Sequence, residues 1–182
     1  MNSGTLRMTG IAGLVWGVLA ILVFLVTILF VARAVSSGQG AAAAGTGTGM
    51  IVQIFSLIAA LALCWMLYQL SQVYGGGMGA IVCYATIAIT ILQVVLTFAG
   101  IAGIITIILF ILQGVGLILV GVFGIMGKRL SSGSYKAFCV LMIVTGASIA
   151  VVVLAFLYPF LALATGIVLY VAMNGAAKQA TA

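Results

Sequence analysis

Residues 79–126 read GAIVCYATIAITILQVVLTFAGIAGIITIILFILQGVGLILVGVFGIM, without a single charged side chain. As one helix this stretch would be about 70 Å long at 1.5 Å per residue. That is more than twice a hydrocarbon core of about 30 Å, so the chain must fold back within it. Gly100-Ile101-Ala102-Gly103 is the best turn, because paired glycines weaken a helix and favour turns. The stretch therefore divides into spans near 80–98 and 102–127.

The same logic works outward in both directions. Toward the N-terminus, Gly75-Gly76-Gly77 is a clean break, and a span over 50–72 precedes it, with Tyr68 and Tyr74 suited to a membrane interface. Residues 36–49, SSGQGAAAAGTGTG, form a low-complexity segment read as a mobile Gly/Ala-rich loop. A first span over 10–34 lies before it, with Thr9 placed to cap its start. Ala32-Arg33-Ala34 resembles a cleavage site, yet the apolar run is longer than the 7–15 residues of a signal-peptide core. It is read as a retained helix.

Toward the C-terminus, Lys128-Arg129 and Ser131-Ser132-Gly133-Ser134 close the fourth span. Residues 135–177 are again too long for one crossing. Tyr158-Pro159 holds the only proline of the chain, and proline fits the first turn of a new helix. Spans near 136–157 and 159–178 follow, although a turn made of Leu157, Tyr158 and Pro159 is unusually apolar. A five-helix reading, with one kinked final helix, stays open. The expected fold is thus all-α: a single-domain polytopic membrane bundle of six helices, or five, joined by short loops.

Composition sets the class and narrows the chemistry. Of 182 residues 66% are apolar and 3% charged, with no Asp, Glu or His. The mean hydropathy is +1.52. Soluble chains carry about 25% charged residues. The six cations are Arg7, Arg33, Lys128, Arg129, Lys136 and Lys178. They are too scattered for a nucleic-acid patch, so no nucleic-acid partner is expected. Arg7, Lys128, Arg129, Lys136 and Lys178 are read as topology signals and contacts for lipid headgroups. With six helices these five share one side and Arg33 takes the other, which puts the N-terminus and the 128–136 loop in the cytoplasm. A five-helix count splits the charges four to two.

The missing acids and histidines exclude the common catalytic sets, including Ser-His-Asp triads and carboxylate pairs. They also remove the usual ligands for zinc, calcium and di-iron centres. No enzyme activity, cofactor or metal is expected. Cys64, Cys83 and Cys139 lie singly in apolar runs and read as free thiols acting as small hydrophobes.

Polar side chains inside apolar spans need a reason. Thr86, Thr90, Gln93 and Thr97 are spaced four, three and four apart and share one helix face. Thr106 and Gln113 share a face of the next span and would meet that stripe across the hairpin. Two readings stand: interhelical hydrogen bonds that set packing, or a polar path for a solute. Gln53 and Ser56 would face headgroups or the bundle interior. Thr145 and Ser148 would bond back to their own helix.

Glycine is abundant, at 24 residues. Gly13 and Gly17 form a GxxxG pair beside Trp16; the fourth span carries Gly114, Gly116, Gly121, Gly124 and Gly127, and the last three form a smooth strip suited to close helix packing. Gly10-Ile11-Ala12-Gly13 also matches Gly100-Ile101-Ala102-Gly103, which would suit a three-plus-three duplication. Such short matches arise readily in a chain this rich in Gly, Ala and Ile. The functional expectation is a non-catalytic structural or accessory subunit that associates with itself or with other membrane subunits. The alternative is a passive channel or facilitator for a small neutral solute, gas or anion.

Overall fold

A computed structural model of the chain describes residues 3–36, 47–101, 103–127 and 132–180. Six α-helices run α1 Ser3–Ser36, α2 Gly47–Tyr74, α3 Met78–Phe98, α4 Ile104–Met126, α5 Gly133–Ala150 and α6 Tyr158–Gln179. All six are long and apolar enough to cross a membrane. The chain is a multi-pass membrane bundle, and the five-helix alternative is set aside.

Each helix packs on its neighbours in sequence, and α1 packs along α6, so the six form a ring over the depth that α5 and α6 occupy. The closest pairs are α1 with α6 and α4 with α5. The first residues of α1, α3 and α5 and the last of α2, α4 and α6 lie at one end, called basal here. The opposite ends of the six helices lie at the distal end.

Several boundaries differ from expectation. α1 starts at Ser3, seven residues before the predicted position, so Thr9 is inside the helix. Its hydroxyl donates to the Thr5 carbonyl at 2.8 Å and caps nothing. Gly10 and Gly13 are likewise mid-helix, against α6, whereas Gly100 and Gly103 sit in a turn with φ of 71° and 139°. The two matching tetrapeptides therefore occupy different structural positions, and the match gives no support to a duplication. Gly47 to Gly49 belong to α2; residues 37–46 of the expected loop, with Lys128 and Arg129, lie outside the described residues.

The fifth span ends early. α5 stops at Ala150, Val151 is extended (φ −94°, ψ 90°), and Val152–Leu157 form a 3₁₀ segment before Pro159 enters the first turn of α6. Residues 151–157, VVVLAFL, carry no polar side chain. The backbone stays paired through Val151 N–H to Ala147 O at 2.9 Å and Leu154 N–H to Val151 O at 2.7 Å. Internal pairing is what a chain segment needs where water is scarce.

The core is lopsided. Trp16, Leu63, Met66, Leu67, Leu70, Cys83, Leu117, Phe138, Met142, Leu169 and Met173 are fully buried and fill the basal half. No described residue of α1 beyond Ala20, of α2 before Ala62, of α3 beyond Thr90 or of α4 before Leu109 is buried. Tyr74, expected at the interface, turns inward and donates to the Val120 carbonyl at 2.7 Å.

Glycines line the tight contacts of that half. A Cβ on Gly114 would lie 2.6 Å from the Gly146 carbonyl, and one on Gly17 would lie 2.8 Å from the Ala162 carbonyl. A Cβ on Gly13 would strike the Leu169 side chain, and those on Gly121 and Gly124 would strike Cys139. Gly127 departs from the expected strip. It ends α4 in an extended conformation and would meet only carbonyls of α4 itself.

Between α5 and α6, Thr145 and Thr165 hydroxyls lie 3.0 Å apart. Each is also within reach of its own helix, at the Leu141 and Leu161 carbonyls. Ser148 bonds back to the Thr145 carbonyl. One interhelical bond of this kind contributes about 1 kcal/mol or less. Thr165→Val should therefore lower the apparent melting temperature in detergent by only a few degrees.

Candidate binding cavity

The unfilled distal half encloses a cavity of about 500 Å³, within the usual range for ligand pockets. Its walls come from α1 (Val23, Phe24, Thr27), α2 (Gln53, Ser56, Ala60), α3 (Thr90, Gln93, Thr97) and α4 (Phe110, Gln113), with Tyr158 and Pro159 of α6. Among the described residues α5 contributes no lining residue. The surface is mostly apolar, and every polar group on it is uncharged.

The predicted stripe divides. Thr90 and Gln113 meet at the inner end of the cavity, where the Gln113 amide donates to Thr90 Oγ1 at 3.1 Å. The hydroxyl of Thr90 in turn donates to the Thr86 carbonyl at 2.9 Å. Gln93 faces the cavity one turn farther out, half-buried, and its amide makes no hydrogen bond among the described residues. Thr97 lines the rim and returns its hydroxyl to the Gln93 carbonyl at 2.8 Å.

Thr86 and Thr106 lie outside the cavity. Thr86 is buried below it against Gly116, where there is no room for a Cβ, and donates to the Val82 carbonyl. Thr106 does not meet the stripe. It closes the first turn of its own helix by donating to the Ile101 carbonyl at 3.0 Å. Ile101 precedes α4, so its carbonyl stands outside the helical ladder, within reach of this first-turn hydroxyl.

Four polar lining residues, Thr27, Gln53, Ser56 and Tyr158, are not assigned to the site by the sequence reading. Gln53 and Ser56 face the interior rather than headgroups alone. Thr27 is the sole hydroxyl in the apolar run of α1, and that isolation was its signal. Tyr158 lines the cavity and accepts a hydrogen bond from the Trp16 indole N–H at 3.3 Å. The two rings stand 6.3 Å apart, which makes Trp16 a buried reporter directly behind the cavity wall.

Of the cations, Arg7, Lys136 and Lys178 are exposed, all near the basal end. Arg33 is exposed in the last turn of α1 at the distal end. None of these four lines the cavity. No family model, curated protein or solved structure matches this chain.

Proposed function

We propose that this chain is a non-catalytic membrane protein that holds a small uncharged molecule in its distal cavity, as a binder or passive facilitator. The unpartnered Gln93 amide beside the Gln113–Thr90 pair carries this reading. A polar group in an apolar surround costs free energy until it finds a partner. Here an amide is held open toward a cavity large enough to supply one. The lining bears no ion, so charged solutes would lose their hydration without compensation.

This reading moves ahead of the structural-subunit expectation for a specific reason. The glycine faces that would serve assembly are already in contact within one chain, α1 on α6 and α4 on α5. The basal half is packed along its length, so the cavity is blind in this conformation. The excess of cations at the basal end supports placing that end in the cytoplasm.

The test uses Trp16 in nanodiscs, with Trp65→Phe removing the second indole. Titration with benzyl alcohol should change Trp16 emission saturably. Gln93→Leu combined with Gln113→Leu should weaken the apparent affinity about ten-fold, from the loss of two hydrogen bonds. A linear, unsaturable change identical in both proteins would overturn the proposal.

A further inference from the structure

We infer that the cavity is filled sideways from the distal leaflet, by a membrane-dissolved molecule with one apolar tail and an uncharged hydroxyl or carbonyl head. This deepens the proposed function and rests on it.

Depth comes first. Arg7 and Arg33 lie 26 residues apart on α1, about 39 Å, a separation that fits one cation in each headgroup zone of a bilayer. Phe24 meets Phe160 edge-on, with ring centroids 5.4 Å apart. Phe24 is nine residues before Arg33, so the start of α6 lies about 14 Å inward of it. α4 and α5 agree with this. Gly114 is level with Gly146 and Ala150, and α4 continues from Gly114 back to Ile104, about 15 Å farther outward.

The α5–α6 connection is therefore sunk in the hydrocarbon region. That accounts for a turn without a polar residue and for its internally paired 3₁₀ backbone. Above it the ring is incomplete. α1 and α4 make no extended packing contact with each other, and among the described residues the cavity lining between them is Tyr158 and Pro159, at the inner end. The notch between α1 and α4 faces acyl chains rather than water.

The occupant follows from the lining. Val23, Phe24, Val94 and Phe110 suit a tail. The Gln93 amide and the Gln113–Thr90 pair offer donors and acceptors for a hydroxyl or carbonyl. A volume near 500 Å³ holds on the order of 15 water-sized groups at about 30 Å³ each, which is the scale of one chain with a compact head. An ionic head inside the cavity would meet no counter-charge, because the chain contains no acid and no described cation lines the cavity.

The experiment is photolabelling of the full chain in phosphatidylcholine vesicles. The probes are hexadecanol with a tail diazirine, the matching hexadecyl sulfate, and a tail-less, water-soluble diazirine alcohol. Hexadecanol should label Val23, Phe24, Val94 and Phe110 in preference to the lipid-facing Leu29 and Ile104, and Gln113→Leu should reduce the cavity labels about five-fold. The sulfate should label only the lipid-facing positions. Cavity labelling by the tail-less alcohol but not by hexadecanol would overturn lateral entry while leaving uncharged-solute binding intact. Absence of cavity labelling by either alcohol would overturn both, and equal labelling by the sulfate would overturn the uncharged head.

Discussion

Gly146→Leu should prevent the bundle from closing and give a chain that aggregates or melts far below the parent in detergent. A Cβ at Gly146 would strike the Gly114 carbonyl and lie 2.8 Å from the Ile118 nitrogen. Both are backbone atoms of α4, so no side-chain rotation relieves the overlap. The helices must separate, and with them go the neighbouring contacts at Gly121 and Cys139. In lipid the hydrophobic effect does not hold two helices together, since apolar side chains gain little by leaving one apolar solvent for another. Close van der Waals contact is what remains to hold α4 on α5, and overpacking at such a site costs about 3 kcal/mol or more. Gly175→Leu is the matched control. Its added Cβ would meet nothing within 4 Å, so its melting temperature should stay within a few degrees of the parent. Equal behaviour of the two variants would show that the α4–α5 contact is not tight.

What the sequence disclosed follows the scale of each signal. The helix count rests on lengths of tens of residues, and Gly75–Gly77, Gly100 and Gly103 mark breaks that the structure realises with positive φ. The α5–α6 break was harder to locate. Pro159 marks where α6 begins, but nothing in VVVLAFL marks where α5 stops, because that turn has no need of water-binding residues at its depth. Periodicity groups Thr86, Thr90, Gln93 and Thr97 on one face of α3. It could not say how far along α3 the cavity reaches, so Thr86 and Thr97 were grouped with residues that play different parts. Thr106 was paired with Gln113 by a spacing of seven, yet its place in the first turn of α4 gave it a nearer acceptor. The cavity itself arises from unequal helix lengths, 34 residues in α1 against 18 in α5. That inequality is visible only once the ends of α5 are known.

Reporters fused to either terminus should both read as cytoplasmic, and removing the basal cations should reverse that. Six spans put the two termini on one side, whereas five would separate them. Arg7, Lys136 and Lys178 lie near the basal end, with Lys128 and Arg129 in the connection between α4 and α5, against Arg33 alone at the distal end. Orientation follows the excess of Lys and Arg in short flanking segments. The chain has no acidic residue to offset it, so the bias is set by these side chains alone. Replacing Arg7, Lys128, Arg129, Lys136 and Lys178 with Gln leaves Arg33 as the only cation. The bias then points the other way, and most molecules should insert with their termini outside. Arg33→Gln alone removes the single opposing charge and should leave the parental orientation unchanged. Termini that read as external in the unaltered chain would refute the assignment. With the basal end inside, the cavity and its notch belong to the outer leaflet, so the molecule that fills it would be drawn from that leaflet.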